Sequence, residues 1–109
     1  MSGKFELKQS KDGQYMFNLK AGNGQVILSS ELYKTKAAAE NGIESVKTNA
    51  AIAARFERTK NKNDEPYFKL KASNGQEVGR SEYYSSEAAM ENGIKSVQKN
   101  APDATVVEV

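Results

Sequence analysis

Residues 38–46 read Ala38-Ala39-Glu40-Asn41-Gly42-Ile43-Glu44-Ser45-Val46, and residues 89–97 read Ala89-Met90-Glu91-Asn92-Gly93-Ile94-Lys95-Ser96-Val97. The second stretch lies 51 residues after the first. Working outward at that offset, residues 4–50 align with 55–101 without a gap, and 23 of the 47 positions are identical. Self-similarity at a fixed period marks a unit used more than once. It predicts one domain over residues 1–109, made of two repeats at 4–54 and 55–109.

The quoted stretch is helical by its spacing. Ala39, Ile43, Val46 and Ala50 recur at intervals of four, three and four, as do Met90, Ile94, Val97 and Ala101, which gives one apolar stripe on a helix. Thr35 and Ser86 stand where an N-cap is needed, with Asn49 and Asn100 as candidate C-terminal caps and Pro102 just beyond. Gly42 and Gly93 break the pattern in mid-helix, where Gly costs roughly 1 kcal/mol against Ala. A cost accepted in both copies predicts close contact with the sheet or the sister helix.

Before each helix the period changes to two. Tyr15, Phe17, Leu19 and Ala21 alternate with Met16, Asn18 and Lys20, and Phe68, Leu70 and Ala72 alternate with Tyr67, Lys69 and Lys71. Such alternation predicts strands with one buried face. Asn23-Gly24 and Asn74-Gly75 predict type I′ hairpin turns into strands at 25–30 and 76–81. The first strand, Lys4-Phe5-Glu6-Leu7, returns as Arg55-Phe56-Glu57-Arg58 and again as Val106-Val107-Glu108-Val109. A third copy of one strand is expected to complete the sheet, because an unpaired edge is a liability.

Composition excludes some chemistry. The chain has neither His nor Cys, which removes disulfides, thiolate catalysis and the commonest general base and transition-metal ligand. Its 16 basic and 14 acidic residues are interspersed, a weaker excess than nucleic-acid binders usually carry. The opening Met1-Ser2-Gly3-Lys4 starts no apolar stretch of signal-peptide length, and no run approaches a membrane span. A soluble, cytoplasmic protein without membrane contact is expected.

Leu19-Lys20-Ala21-Gly22-Asn23-Gly24-Gln25-Val26-Ile27, Ser30-Glu31-Leu32-Tyr33 and the helix stretch 38–46 together resemble the YegP-like family of small bacterial tandem-repeat proteins of uncharacterised function. The second copy matches over 71–77, 81–84 and 89–97. The resemblance implies an α+β fold: a β-β-β-α-β unit used twice on one antiparallel sheet, with the terminal strands exchanged between repeats. It implies no activity and carries over no catalytic residue. Both helices are expected on one face of the sheet.

Three surface features remain as candidates. The loops Ser30, Glu31, Tyr33 and Ser81, Glu82, Tyr84 repeat a hydroxyl, a carboxylate and a phenol, a set that fits a small-ligand or enzymatic site. The competing reading has Tyr33 and Tyr84 covering the core edge while Ser and Glu satisfy loop backbone. Lys20, Tyr67, Lys69 and Lys71 fall on the outer sheet face, a basic and aromatic pattern suited to weak RNA or DNA binding. Glu6 and Glu57 share that face, so cross-strand pairing competes. Val26 and Leu28, replaced by Glu77 and Gly79 in the second copy, are an expected exposed patch for a protein partner, with Ile27 and Val78 in the core. Glu40 and Glu44 share a helix face, but their counterparts Glu91 and Lys95 attract each other, which favours a solvated face over an acid/base or metal pair. No cofactor is expected. The sequence therefore points to a non-enzymatic interaction or accessory domain.

Overall fold

The computed structural model describes residues 3–109; Met1 and Ser2, part of the opening read above, lie outside them. The chain runs β1 (Lys4–Gln9), β2 (Tyr15–Lys20), β3 (Val26–Ser29), α1 (Lys36–Ala50), β4 (Phe56–Lys60), β5 (Pro66–Lys71), β6 (Glu77–Arg80), α2 (Glu87–Asn100) and β7 (Thr105–Glu108). All seven strands form one sheet in the order β4-β5-β6-β3-β2-β1-β7. The first six positions are palindromic about the β6–β3 seam, so the repeats are related by a twofold through the middle of the sheet. The fold is α+β, as expected.

One pairing departs from the expected antiparallel sheet. β7 lies parallel to β1, with Phe5 beside Val106 and Leu7 beside Glu108, so the sheet is mixed. The repeat explains why. The strand that follows α1 is β4, which takes the outer position next to β5. The twofold would send the strand after α2 to the position beside β2, running in the same direction as β1. β1 already occupies that place. β7 therefore keeps the direction and takes the next position out, and two strands of like direction pair in parallel.

Both helices cover the same face. Ala39, Ile43 and Val46 of α1 and Met90, Ile94 and Val97 of α2 join Phe5, Phe17, Leu19, Phe56, Phe68 and Leu70 in one core. Thr35 and Ser86 accept the N–H groups of Ala38 and Ala89 at 3.0 and 3.1 Å, the N-caps that the sequence predicts. Asn49 and Asn100 are not end caps. Each turns its amide back to the preceding turn, donating to the Ser45 and Ser96 carbonyls at 2.8 Å, while Ala51 and Ala101 close the helices.

Two local features correct the sequence reading. The hairpins after β2 and β5 have positive φ at Gly24 and Gly75 but at neither Asn23 nor Asn74. Gly24 donates to Ala21 at 2.9 Å while Ala21 donates to Gln25 at 2.9 Å. That is a three-residue loop ending on a left-handed glycine and not a type I′ turn. The register of β2 against β3 then shifts between Leu19 and Lys20. The bulge brings both Ile27 and Leu28 inward, so Leu28 is 1% exposed and packs opposite Leu19. The expected exposed patch is reduced to Val26, half-buried opposite Lys20.

Candidate functional site

Ser30, where the chain leaves β3, accepts the Phe17 N–H at 2.9 Å and donates to the Glu31 carbonyl at 2.7 Å. Ser81 does the same with Phe68 at 3.0 Å and Glu82 at 2.8 Å. Both hydroxyls are thus engaged in backbone bonds at the strand ends. Tyr33 exchanges two backbone bonds with Tyr15, each 2.7 Å, and its ring stacks on Phe17 at 6.1 Å and 12°. Tyr84 stacks on Phe68 at 6.2 Å and 14°. Burial, and then the charges of Glu31 and Glu82, raise the two phenol pKa values.

The phenols also explain the mid-helix glycines. A Cβ on Gly42 would stand 2.5 Å from the Tyr33 hydroxyl and 3.0 Å from Cε2 of Phe17. On Gly93 it would meet the Tyr84 hydroxyl and, at 3.2 Å, Cε2 of Phe68. The close contact predicted for these glycines is with the loop tyrosine and the sheet phenylalanine beneath it.

Glu31 points elsewhere, to the helix-free face of the sheet. There it lies beside Glu77 of the other repeat, and the hydrogen bond between the two carboxyls raises the Glu31 pKa. Glu77 is lowered despite its burial, because Arg80 and Glu31 both bond to it. Serine, phenol and carboxylate of the loop therefore serve three different places.

Lys20, Tyr67, Lys69 and Lys71 all occupy the helix-free face, as their alternation predicts. Most of the cations there are matched. Lys20 pairs with Glu6 at 3.0 Å, Lys71 with Glu57 at 2.5 Å, and Arg80 with Glu77 at 2.8 Å. Hydrogen bonds from Lys20 and Lys71 hold the Glu6 and Glu57 carboxyls below the usual range. Among the described residues Lys69 has no carboxylate within salt-bridge reach; it stands opposite Arg80.

Sequence reasoning missed Tyr83. It rises from the loop after β6 and meets Tyr67 edge-to-face, with centroids 5.2 Å apart at 86°. Tyr83 is 56% exposed and its counterpart Leu32 55%. Large residues at both positions were the available signal, but a loop has no period to assign a face.

On the opposite side of the sheet, Arg58 binds Glu91 through two guanidinium nitrogens, so Glu91 takes its partner from β4 and Lys95 acts on it only at longer range. Lys60 reaches Glu87 at 3.5 Å. Glu40 and Glu44 are exposed. Arg55, just before β4, buries an Nε that has no hydrogen-bond partner. Among the described residues no three carboxylates gather as a metal site, and no helix is long and apolar enough to cross a membrane.

Comparison with known proteins agrees with the two-repeat architecture. The family model described as a domain of unknown function, DUF1508, matches twice, over residues 10–57 and 61–108. A UPF0339 protein of Mannheimia succiniciproducens is 60% identical over 98% of this chain and 95% of its own length. The UPF0339 protein YegP of Yersinia pestis is 51% identical over 98% of this chain and 96% of its own. Among solved structures, the solution structure of a UPF0339 protein from Shewanella oneidensis superposes with a TM-score of 0.93 at 56% identity, covering 99% of this chain and 92% of that one. The solution structure of YegP from E. coli, a protein of unknown function, gives 0.94 at 46% identity, covering 99% and 93%. The resemblance read from the helix and hairpin motifs is borne out, and the chain belongs to the DUF1508 family, with two tandem copies of its domain.

Proposed function

We propose that this protein is a cytoplasmic, non-enzymatic interaction module that binds a partner through the helix-free face of its sheet, around Tyr67 and Tyr83. The observation that carries this reading is the aromatic pair itself. Two tyrosines meet at 5.2 Å above a sheet face that no helix covers, beside Lys69, which among the described residues has no carboxylate within salt-bridge reach. Amphipathic rings held at the surface favour contact with a partner. Catalysis has less support: the loop hydroxyls are spent on backbone, and raised phenol pKa values make Tyr33 and Tyr84 poor proton donors near neutrality.

A second reading, single-stranded nucleic acid on the same face, rests on the ring pair next to Lys69. The ion pairs of Lys20, Lys71 and Arg80 count against it, since each neutralises a cation that a phosphate track needs. One experiment separates the two. Wild type and the Tyr67→Ser/Tyr83→Ser variant are immobilised and exposed to a bacterial lysate at low salt. The expected result is a protein set recovered by wild type and lost by the variant, whose melting temperature stays within a few degrees. Absorbance at 260 nm eluting with rising salt promotes the nucleic-acid reading. Equal recovery by both proteins removes the aromatic face from consideration.

A further inference from the structure

The two repeats carry equivalent grooves of similar volume, about 200 and 210 Å³, but a further strand covers the adjoining sheet edge in only one of them. Beside β1, a depression is lined by Leu7, Lys8, Gln9, Tyr15 and Lys36 together with Glu108 and Val109 of the C-terminal strand segment. At the repeat offset of 51 the first five become Arg58, Thr59, Lys60, Pro66 and Glu87. Those five line a cavity of about 210 Å³ beside β4, now with Met90 and Glu91 of α2. In the first repeat, β7 lies along the groove. Val109 donates to the Leu7 carbonyl at 2.9 Å, Val106 stands beside Phe5, and Glu108 binds Lys36 on the first turn of α1. In the second repeat β4 pairs with β5 alone and ends the sheet, so the Arg58 carbonyl, equivalent to that of Leu7, has no strand to bond.

We propose that the open edge of β4 is a docking groove for an extended segment of a protein partner. The segment adds parallel to β4 and carries Lys or Arg where β7 carries Glu108. The mode is strand addition, with main-chain bonds for affinity and side-chain pockets for selection. The charge requirement follows from the exchange of Lys36 for Glu87, since Lys36 is the group that holds Glu108 in the first repeat. β7 of a second copy is the wrong occupant, because its Glu108 would face Glu87. The ion pairs Arg58–Glu91 and Lys60–Glu87 now lie across the edge and blunt it against indiscriminate pairing. They are exposed, and exposed pairs contribute at most about 1 kcal/mol, so a matched segment can displace them.

The test uses the whole chain, labelled for amide NMR, and two end-blocked peptides: residues 105–109, and the same peptide carrying Glu108→Lys. The expected result is that the Glu108→Lys peptide shifts the amides of Phe56–Lys60 and Glu87. It should bind about tenfold more tightly than the unchanged peptide, the scale of replacing an exposed repulsion by an attraction. Glu87→Lys in the protein should reverse that preference. Absence of β4 shifts with either peptide at millimolar concentration overturns the groove. Equal binding of both, or shifts confined to Lys4–Gln9 where β7 already sits, overturns its charge selection or its location. Failure here leaves the Tyr67–Tyr83 face untouched, since neither ring borders this edge.

Discussion

Leu28 occupies the space that a side chain at position 79 would need: a Cβ on Gly79 would stand 2.9 Å from both Cγ and Cδ2 of Leu28. Positions 28 and 79 are equivalent in the two repeats, and they meet diagonally across the β3–β6 seam, where Ser29 pairs with Arg80. Two equivalent residues at a twofold cannot both be large. All the volume sits on one side, and the other side is glycine. Gly79→Ala should therefore destabilise by about 1–3 kcal/mol through overpacking, although relief of glycine's chain entropy alone would favour alanine by roughly 0.5–1 kcal/mol. Leu28→Ala should cost about 2–5 kcal/mol through the cavity it leaves. The double variant should lose less than the sum, by about 0.5 kcal/mol or more. Urea unfolding measures all three, and strict additivity would show that the two positions do not share one space.

The helix glycines make a second prediction, opposite in sign to propensity. Gly42→Ala gains roughly 1 kcal/mol of intrinsic helix preference, but the added methyl must displace the Tyr33 phenol, whose Cζ would lie only 2.8 Å away. That ring is held between α1 and Phe17 and has little room to retreat. A lowered melting temperature is expected, partly restored when Tyr33→Phe removes the nearer oxygen. A raised melting temperature would mean the ring swings aside freely.

The elements were legible where the pattern is local and periodic. Ala39, Ile43 and Val46 are inside because their spacing puts them on one stripe, and Phe17 and Leu19 because strands alternate. Leu28 was misread for the same reason. Alternation holds only while the register does, and the bulge between Leu19 and Lys20 turns two successive β3 residues inward. The parallel pairing of β7 was not legible, because it depends on β1 having already taken the place beside β2. The Arg58–Glu91 bond spans 33 residues, and nothing near either residue announces it. Lys20, Lys69 and Lys71 were placed on the right face, but the sequence could not say which of them a carboxylate neutralises.

The loop serines should act as structural groups. Ser81 Oγ is the acceptor for a buried Phe68 N–H, so Ser81→Ala strands that donor at a cost of about 1–3 kcal/mol. Ser30→Ala should cost less, because the matching bond to Phe17 is only part-buried and water can take the place of the hydroxyl. Amide exchange provides the check. Exchange at Phe68 should accelerate in Ser81→Ala more than exchange at Phe17 does in Ser30→Ala. The reverse order would refute the assigned difference in burial.

The carboxyl pair across the repeat seam gives stability a pH dependence of defined sign. The Glu31 pKa is raised from 4.5 by its hydrogen bond to Glu77, then by burial and by the Glu77 charge. A raised pKa means the folded state holds the proton more tightly. This contribution is fully present below the unfolded value and is lost as pH rises through the folded one. Glu77 behaves oppositely. Burial pushes its pKa up, but the Arg80 and Glu31 hydrogen bonds outweigh that and lower it. Its contribution is therefore present above the usual glutamate range and lost as pH falls through the folded value. Glu31→Gln keeps a donor toward Glu77 without a charge. It should raise the melting temperature at pH values above the raised Glu31 pKa, where wild type carries two repelling carboxylates, and the gain should vanish as the pH drops below the ordinary glutamate value. Glu77→Gln should lower the melting temperature at pH 7, because Arg80 loses its two bonds of 2.8 and 3.0 Å. A gain from Glu31→Gln that is equal in acid and at neutrality would show that the two carboxyls do not share a proton, and would locate its origin in the loop backbone instead.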